Sequence, residues 1–180
     1  MPHTSILKRC FALTCAFAAA SIGLTGQVVR TDLNTQLKVL FPQATSFGSK
    51  EGKPPVFKAY VTDAKTHAQS LLGYAAYTTD WQPFERGYDG PIKILVGVST
   101  AGFVTNIVVT EHKEPYGYRS IDQQRYADQF INKNIQDAFK IRADVNAVSG
   151  ATATVGSATR SIRDTAKRLA EAYLSGGAAK

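Results

Sequence analysis

Leu33, Leu37 and Leu40 recur at helical spacing with polar residues between them. The pattern predicts a short amphipathic helix, capped by Thr31 or Asp32 and stopped by Pro42. Residues 44–55 carry Gly48, Gly52, Pro54 and Pro55 among Ser, Thr and Lys, which is turn chemistry rather than a periodic element. Strand-like runs follow at 56–62 and 71–79, with a polar loop at 63–70 between them. A loop rich in Pro, Gly and aromatic residues, 80–91, leads into the clearest pair of strands, 92–99 and 103–110, joined at Thr100-Ala101-Gly102 as a hairpin. Residues 121–139 predict a helix with Ser120 as cap and an interruption at 132–134. In the last helix Ile162, Ala166, Leu169 and Tyr173 step by four, three and four, so they share one face. Arg160, Arg163, Lys167 and Arg168 spread over the others, and Gly176-Gly177 ends the run. There is no internal repeat. The expected architecture is α+β, with a mainly antiparallel sheet and flanking helices.

The N-terminus follows a different pattern. Lys8 and Arg9 precede residues 10–29, which hold no charged side chain before Arg30. The Ala-rich apolar part, broken by Thr14, Ser21 and Gly23, suits a signal-peptide core, with Ala18 and Ala20 as a small-residue cleavage site. About 20 uncharged residues also meet the length of a membrane anchor, with Lys8 and Arg9 on the cytoplasmic side. Residues 1–26 are therefore read as a signal peptide or N-terminal anchor, 31–175 as one domain and 176–180 as a tail. The domain is expected to be periplasmic or on the extracytoplasmic face of the inner membrane.

Composition sharpens this. Among 180 residues, 44% are hydrophobic and 19% charged, enough for a core and against wholesale disorder. Both cysteines, Cys10 and Cys15, lie in the leader, which excludes thiolate metal sites, iron–sulfur ligation and cysteine nucleophiles from the domain. Any redox role must then come from a bound organic cofactor. Removing Lys8 and Arg9 lowers the charge excess from +7 to +5. Export and scattered bases on a helix argue against a nucleic-acid partner. His67 and His112 are the only mature histidines, and no nucleophile-and-base pairing is recognisable.

The segment Val148-Ser149-Gly150-Ala151-Thr152-Ala153-Thr154 stands directly before the last helix. A helix N-terminus presents unpaired N–H groups and partial positive charge, so a small, hydroxyl-bearing loop feeding into it suits a phosphate. No Lys is present, so this is not a P-loop. From spacing alone, a Ser or Thr that caps a helix after a glycine turn explains the segment as well.

This segment resembles the S-G-A-T motif of the FMN-binding domain family. Leu40-Phe41-Pro42, Gly87-Tyr88-Asp89-Gly90-Pro91-Ile92, Leu95-Val96-Gly97-Val98 and Glu111-His112-Lys113-Glu114-Pro115 follow in the order of one branch. That branch contains the N-terminal flavin domain of the membrane-bound nitrous oxide reductase regulator. The resemblance implies FMN as cofactor, joined through a phosphoester to Thr152, with Ser149, Gly150, Ala151 and Thr154 shaping the phosphate loop. It places His112 and Glu114 near the flavin ring, with Tyr116 and Tyr118 available to stack or donate hydrogen bonds. It also implies an extracytoplasmic flavin transferase, and an electron-transfer flavoprotein rather than a stand-alone enzyme. Its donor and acceptor would be separate proteins, membrane iron–sulfur or quinone-linked. The family usually has Asp three residues before the motif Ser; this chain has Asn146 there, with Asp144 two positions earlier. Asn keeps shape and an acceptor oxygen but loses the charge. The alternatives are a binding or sensory module that holds FMN non-covalently or takes another ligand instead, and a flavin-dependent reductase of a small substrate.

Overall fold

The computed structural model describes residues 32–147 and 150–175. The leader, Thr31, Val148, Ser149 and Gly176-Gly177 lie outside the described residues.

Helix α1, Leu33–Leu40, begins as its sequence dictates. Asp32 accepts from the Thr35 N–H at 3.0 Å and from the Thr35 hydroxyl at 2.8 Å, satisfying an N–H that no helix carbonyl can reach. Leu37 and Leu40 are buried, whereas Leu33 stays partly exposed at the start of the helix.

The strands are β1, Ser46–Phe47; β2, Phe57–Thr62; β3, Gln69–Tyr77; the two-residue pair β4, Arg86–Gly87, and β5, Gly90–Pro91; then β6, Lys93–Ser99, and β7, Val104–Glu111. The main sheet has the order β1-β2-β3-β6-β7, and neighbouring strands pair antiparallel throughout. β1 falls inside the segment expected to be a linker, where Ser46 and Phe47 find Tyr60 and Ala59 as edge partners. β4 and β5 form a ribbon within the aromatic loop.

β6 is buried through five consecutive residues because both sheet faces are covered. Its Ile94, Val96 and Val98 join Val104 and Ile107 under helix α3, Thr152–Tyr173, whose Val155, Ala158, Ile162, Ala166 and Leu169 complete that core. Leu95 faces the other way, into a smaller cluster with Leu37, Leu40, Phe41, Phe57, Ala59 and Ala75 beneath α1. The α+β class, with a mainly antiparallel sheet and flanking helices, is the observed one.

The helix expected over 121–139 is the main departure. Only α2, Gln124–Ala127, and a following 3-10 turn, Asp128–Phe130, are helical there. The chain then leaves the helix to serve the sheet. Asn132 adopts φ +62°, its N–H donates to Val104 O at 2.8 Å, and Val104 N–H donates back to Lys133 O at 2.8 Å. Tertiary hydrogen bonds to β7 override the local helical pattern, while Tyr126, Phe130 and Phe139 plug the core. Ser120 does not cap: its hydroxyl is buried and donates to Tyr116 O at 2.9 Å.

Candidate functional site

The loop before α3 carries the site. Gly150 has φ +81°, a left-handed conformation suited to glycine, and a Cβ there would meet nothing within 4 Å. The backbone demands the glycine and the space around it is open. Ala151 stands at the N-cap with no side chain able to accept a hydrogen bond, and the first helical bond runs from Val155 N–H to Ala151 O at 2.9 Å. The preceding N–H groups of the first turn therefore have no carbonyl of their own helix to reach. They carry the positive end of a 22-residue helix. Thr152 opens that helix with an exposed side chain.

Gly150 and Ala151 form one wall of a cavity of about 610 Å³. Tyr116, Tyr118, Arg119, Gln123 and Arg125 also line it. Both tyrosines are about half exposed, at 52% and 55%. Their turn is held from behind. Gln123 Nε2 donates to Tyr118 O at 2.5 Å, Ser120 Oγ to Tyr116 O, and Gly117 N–H to Glu114 O at 3.1 Å.

Beneath the cavity lies a buried polar chain. From the last residue of β7 onward side chains alternate as an extended chain requires, so Glu111 and Lys113 are exposed while His112 and Glu114 are more buried. Glu114 is only 5% exposed. Its Oε2 accepts from the Thr154 hydroxyl at 2.5 Å and its Oε1 from the Asp89 N–H at 2.9 Å. One carboxylate thus joins the β4–β5 ribbon, the β7 exit and the first turn of α3. It also places a negative charge at the positive end of that helix. Gly87 makes room for it, since a Cβ there would lie 2.2 Å from Glu114 Oε1.

His112 is held at both ring nitrogens. Nε2 pairs with Asp122 Oδ1 at 2.9 Å, and Nδ1 accepts from the Glu114 N–H at 3.0 Å. The Asp122 carboxylate raises the His112 pKa from its ordinary value, against the opposing effect of burial. Gly117 lets the turn fold over the ring, since its Cβ would stand 2.1 Å from His112 Cε1.

The expected site residues therefore separate into two groups. Gly150 and Ala151 line the cavity, and Thr152 follows them as the first residue of α3. Thr154, His112 and Glu114 lie beneath, engaged with protein groups, so Thr154 gives its hydroxyl to Glu114 rather than to the loop. Ser149 lies outside the described residues. Asp144, the acid nearest Asn146, is already committed: it accepts from the Phe139 and Lys140 N–H groups at 2.9 and 2.5 Å and pairs with Lys133 at 3.2 Å. Arg119, Gln123, Arg125 and Asp122 were not singled out by sequence; the only local signal for the first three was their nearness to the Tyr-Gly-Tyr turn.

An FMN group fits these features. Its phosphate suits the uncapped first turn of α3 and the Thr152 hydroxyl, and its aromatic ring suits the tyrosine wall. When bound, the isoalloxazine ring supplies one- and two-electron redox chemistry, which no side chain here provides. No curated protein matches the chain. The family model described as FMN-binding domain does match, over residues 87–167, a span that runs from β4 into α3 and contains every residue of the cavity wall; FMN is the cofactor that this match implies.

Proposed function

We propose that this chain is an exported flavoprotein that relays electrons between separate redox partners, its FMN joined to Thr152 by a phosphoester. The observation that carries the proposal is the exposed Thr152 at the uncapped start of α3, beside a cavity walled by Tyr116 and Tyr118, within the matched span. The 31–175 segment is the flavin domain in this account, and the uncharged 10–29 segment directs it across the inner membrane. Among the described residues no helix is long and apolar enough to cross a membrane. A covalent link suits export, because a cofactor held only by equilibrium is lost where its free form is dilute. An extracytoplasmic flavin transferase would form the bond. The test is flavin fluorescence after denaturing electrophoresis of the exported protein. The band should be present in the wild type and absent in Thr152→Val, and a dark wild-type band made alongside its transferase refutes the covalent link.

A second reading, a module that holds FMN without the covalent bond, is favoured by Asn146. Its side chain is exposed and neutral, and its backbone N–H donates to Gln129 Oε1 at 2.6 Å. If the missing charge limits the transferase, Asn146→Asp should raise covalent loading sharply; unchanged loading removes that argument. A flavin-dependent reductase is distinguished by steady turnover of a small substrate with a soluble electron donor.

A further inference from the structure

Arg125 occupies an unusual place. It lines the 610 Å³ cavity with Gly150 and Ala151, and also a second cavity of about 380 Å³ with Asn146, Ala147 and Gln129. It therefore stands between the two described ends of the loop that leads into α3. Its backbone is anchored by the next residue, Tyr126, which is buried, packs edge-on against Phe130 and shares a hydrogen bond with Thr159 of α3 at 3.2 Å.

Among the described residues the Arg125 guanidinium has no ion pair and no side-chain hydrogen bond. The acids near it in sequence are engaged elsewhere, Asp122 with His112 and Asp128 with Gln124. Among the described residues neither cavity has a carboxylate in its wall, and the second is lined by the neutral Asn146 and Gln129 along with Arg125. A guanidinium held on a fixed backbone, beside a glycine loop and a helix N-terminus, is a geometric match for a phosphate dianion.

We infer that Arg125 is the charged receptor for the flavin phosphate, and that the neutrality of Asn146 keeps it available. This rests on the FMN part of the proposed function but not on the covalent bond. It explains how a phosphate can be held there without a lysine: the cation comes from α2, which lines the same cavity.

The test is equilibrium binding of FMN and of riboflavin, which lacks the phosphate, to protein carrying Thr152→Val so that no covalent bond forms. Arg125→Gln should weaken FMN binding about ten- to hundredfold, the range for a hydrogen bond to a charged group, and leave riboflavin binding unchanged. Arg125→Lys should restore much of the loss. Asn146→Asp should weaken FMN binding several-fold by pairing with Arg125, and should have no such effect in the Arg125→Gln background. Equal losses for FMN and riboflavin, or no loss in Arg125→Gln with circular dichroism intact, overturn the assignment while leaving FMN binding in place. Binding of neither flavin would overturn the FMN reading and this inference together.

Discussion

The contact between Glu114 and Thr154 is where the account commits to a magnitude. Both side chains are about 95% buried, and the hydroxyl donates to the carboxylate at 2.5 Å. Glu114→Ala strands the Thr154 hydroxyl in an apolar setting, which costs about 1–3 kcal/mol. It also removes an anion from the first turn of α3, worth about 1 kcal/mol and up to about 2 where partly buried. The Asp89 N–H lies on an exposed loop residue and can turn to water, so it adds little. The expected total is about 2–5 kcal/mol. Thr154→Val leaves one carboxylate oxygen unpaired and costs about 1–3 kcal/mol. Because the two changes remove the same hydrogen bond, the double variant should be less destabilised than the sum of the singles, by about 1–3 kcal/mol. Glu114→Gln keeps the shape and loses the charge, and should fall between wild type and Glu114→Ala. Urea unfolding of the four proteins of the cycle measures this, provided the transitions share one slope. Additivity within about 0.5 kcal/mol would refute the claim that this contact ties the β7 exit to the start of α3.

Three further outcomes follow from the same geometry. His112 has a raised pKa in the folded state because of Asp122, so the pair contributes fully below the unfolded value of about 6.5 and fades as pH rises through the folded value. The stability gap between wild type and Asp122→Asn should therefore be larger at pH 5 than at pH 8, and a gap independent of pH would contradict the pairing. Tyr116→Ala and Tyr118→Ala should leave thermal stability almost unchanged, since both rings are about half exposed, yet should weaken flavin binding and relieve quenching of flavin fluorescence. Ile162→Ala, at a fully buried position of α3, should cost about 2–5 kcal/mol, and a smaller loss would mean that the core collapses around the gap.

Elements whose side chains settle their own environment were legible in the chain. The Leu33-Leu37-Leu40 spacing, the Thr100-Ala101-Gly102 turn and the Ile162-Ala166-Leu169 face each report local periodicity; the first two elements form within a residue or two of their expected bounds, whereas α3 takes in Thr152-Ala153-Thr154, which were expected to precede it. The 121–139 segment was not legible because its backbone partners are remote. Val104 lies more than 25 residues from Lys133 in the chain, yet exchanges hydrogen bonds with residues 132 and 133. The glycine loop before α3 was visible from composition, but the roles around it were not. Thr154 reads as a loop hydroxyl and His112 as a residue near the flavin ring until Glu114 and Asp122 are seen to occupy them. Gly87 and Gly117 look like turn residues, whereas their lack of a Cβ is what admits Glu114 and His112. Arg119 and Arg125 carry no pattern at all; only the fold brings them to the same cavity as Gly150.

The central claim, an exported domain with FMN joined to Thr152, meets its most direct test in the intact mass of the protein recovered from the extracytoplasmic fraction. The account predicts a chain shortened by its leader or retained whole as an anchor, heavier in either case by one FMN less one water, with that increment on the peptide containing Thr152. An unmodified mass in protein made together with its flavin transferase would contradict it.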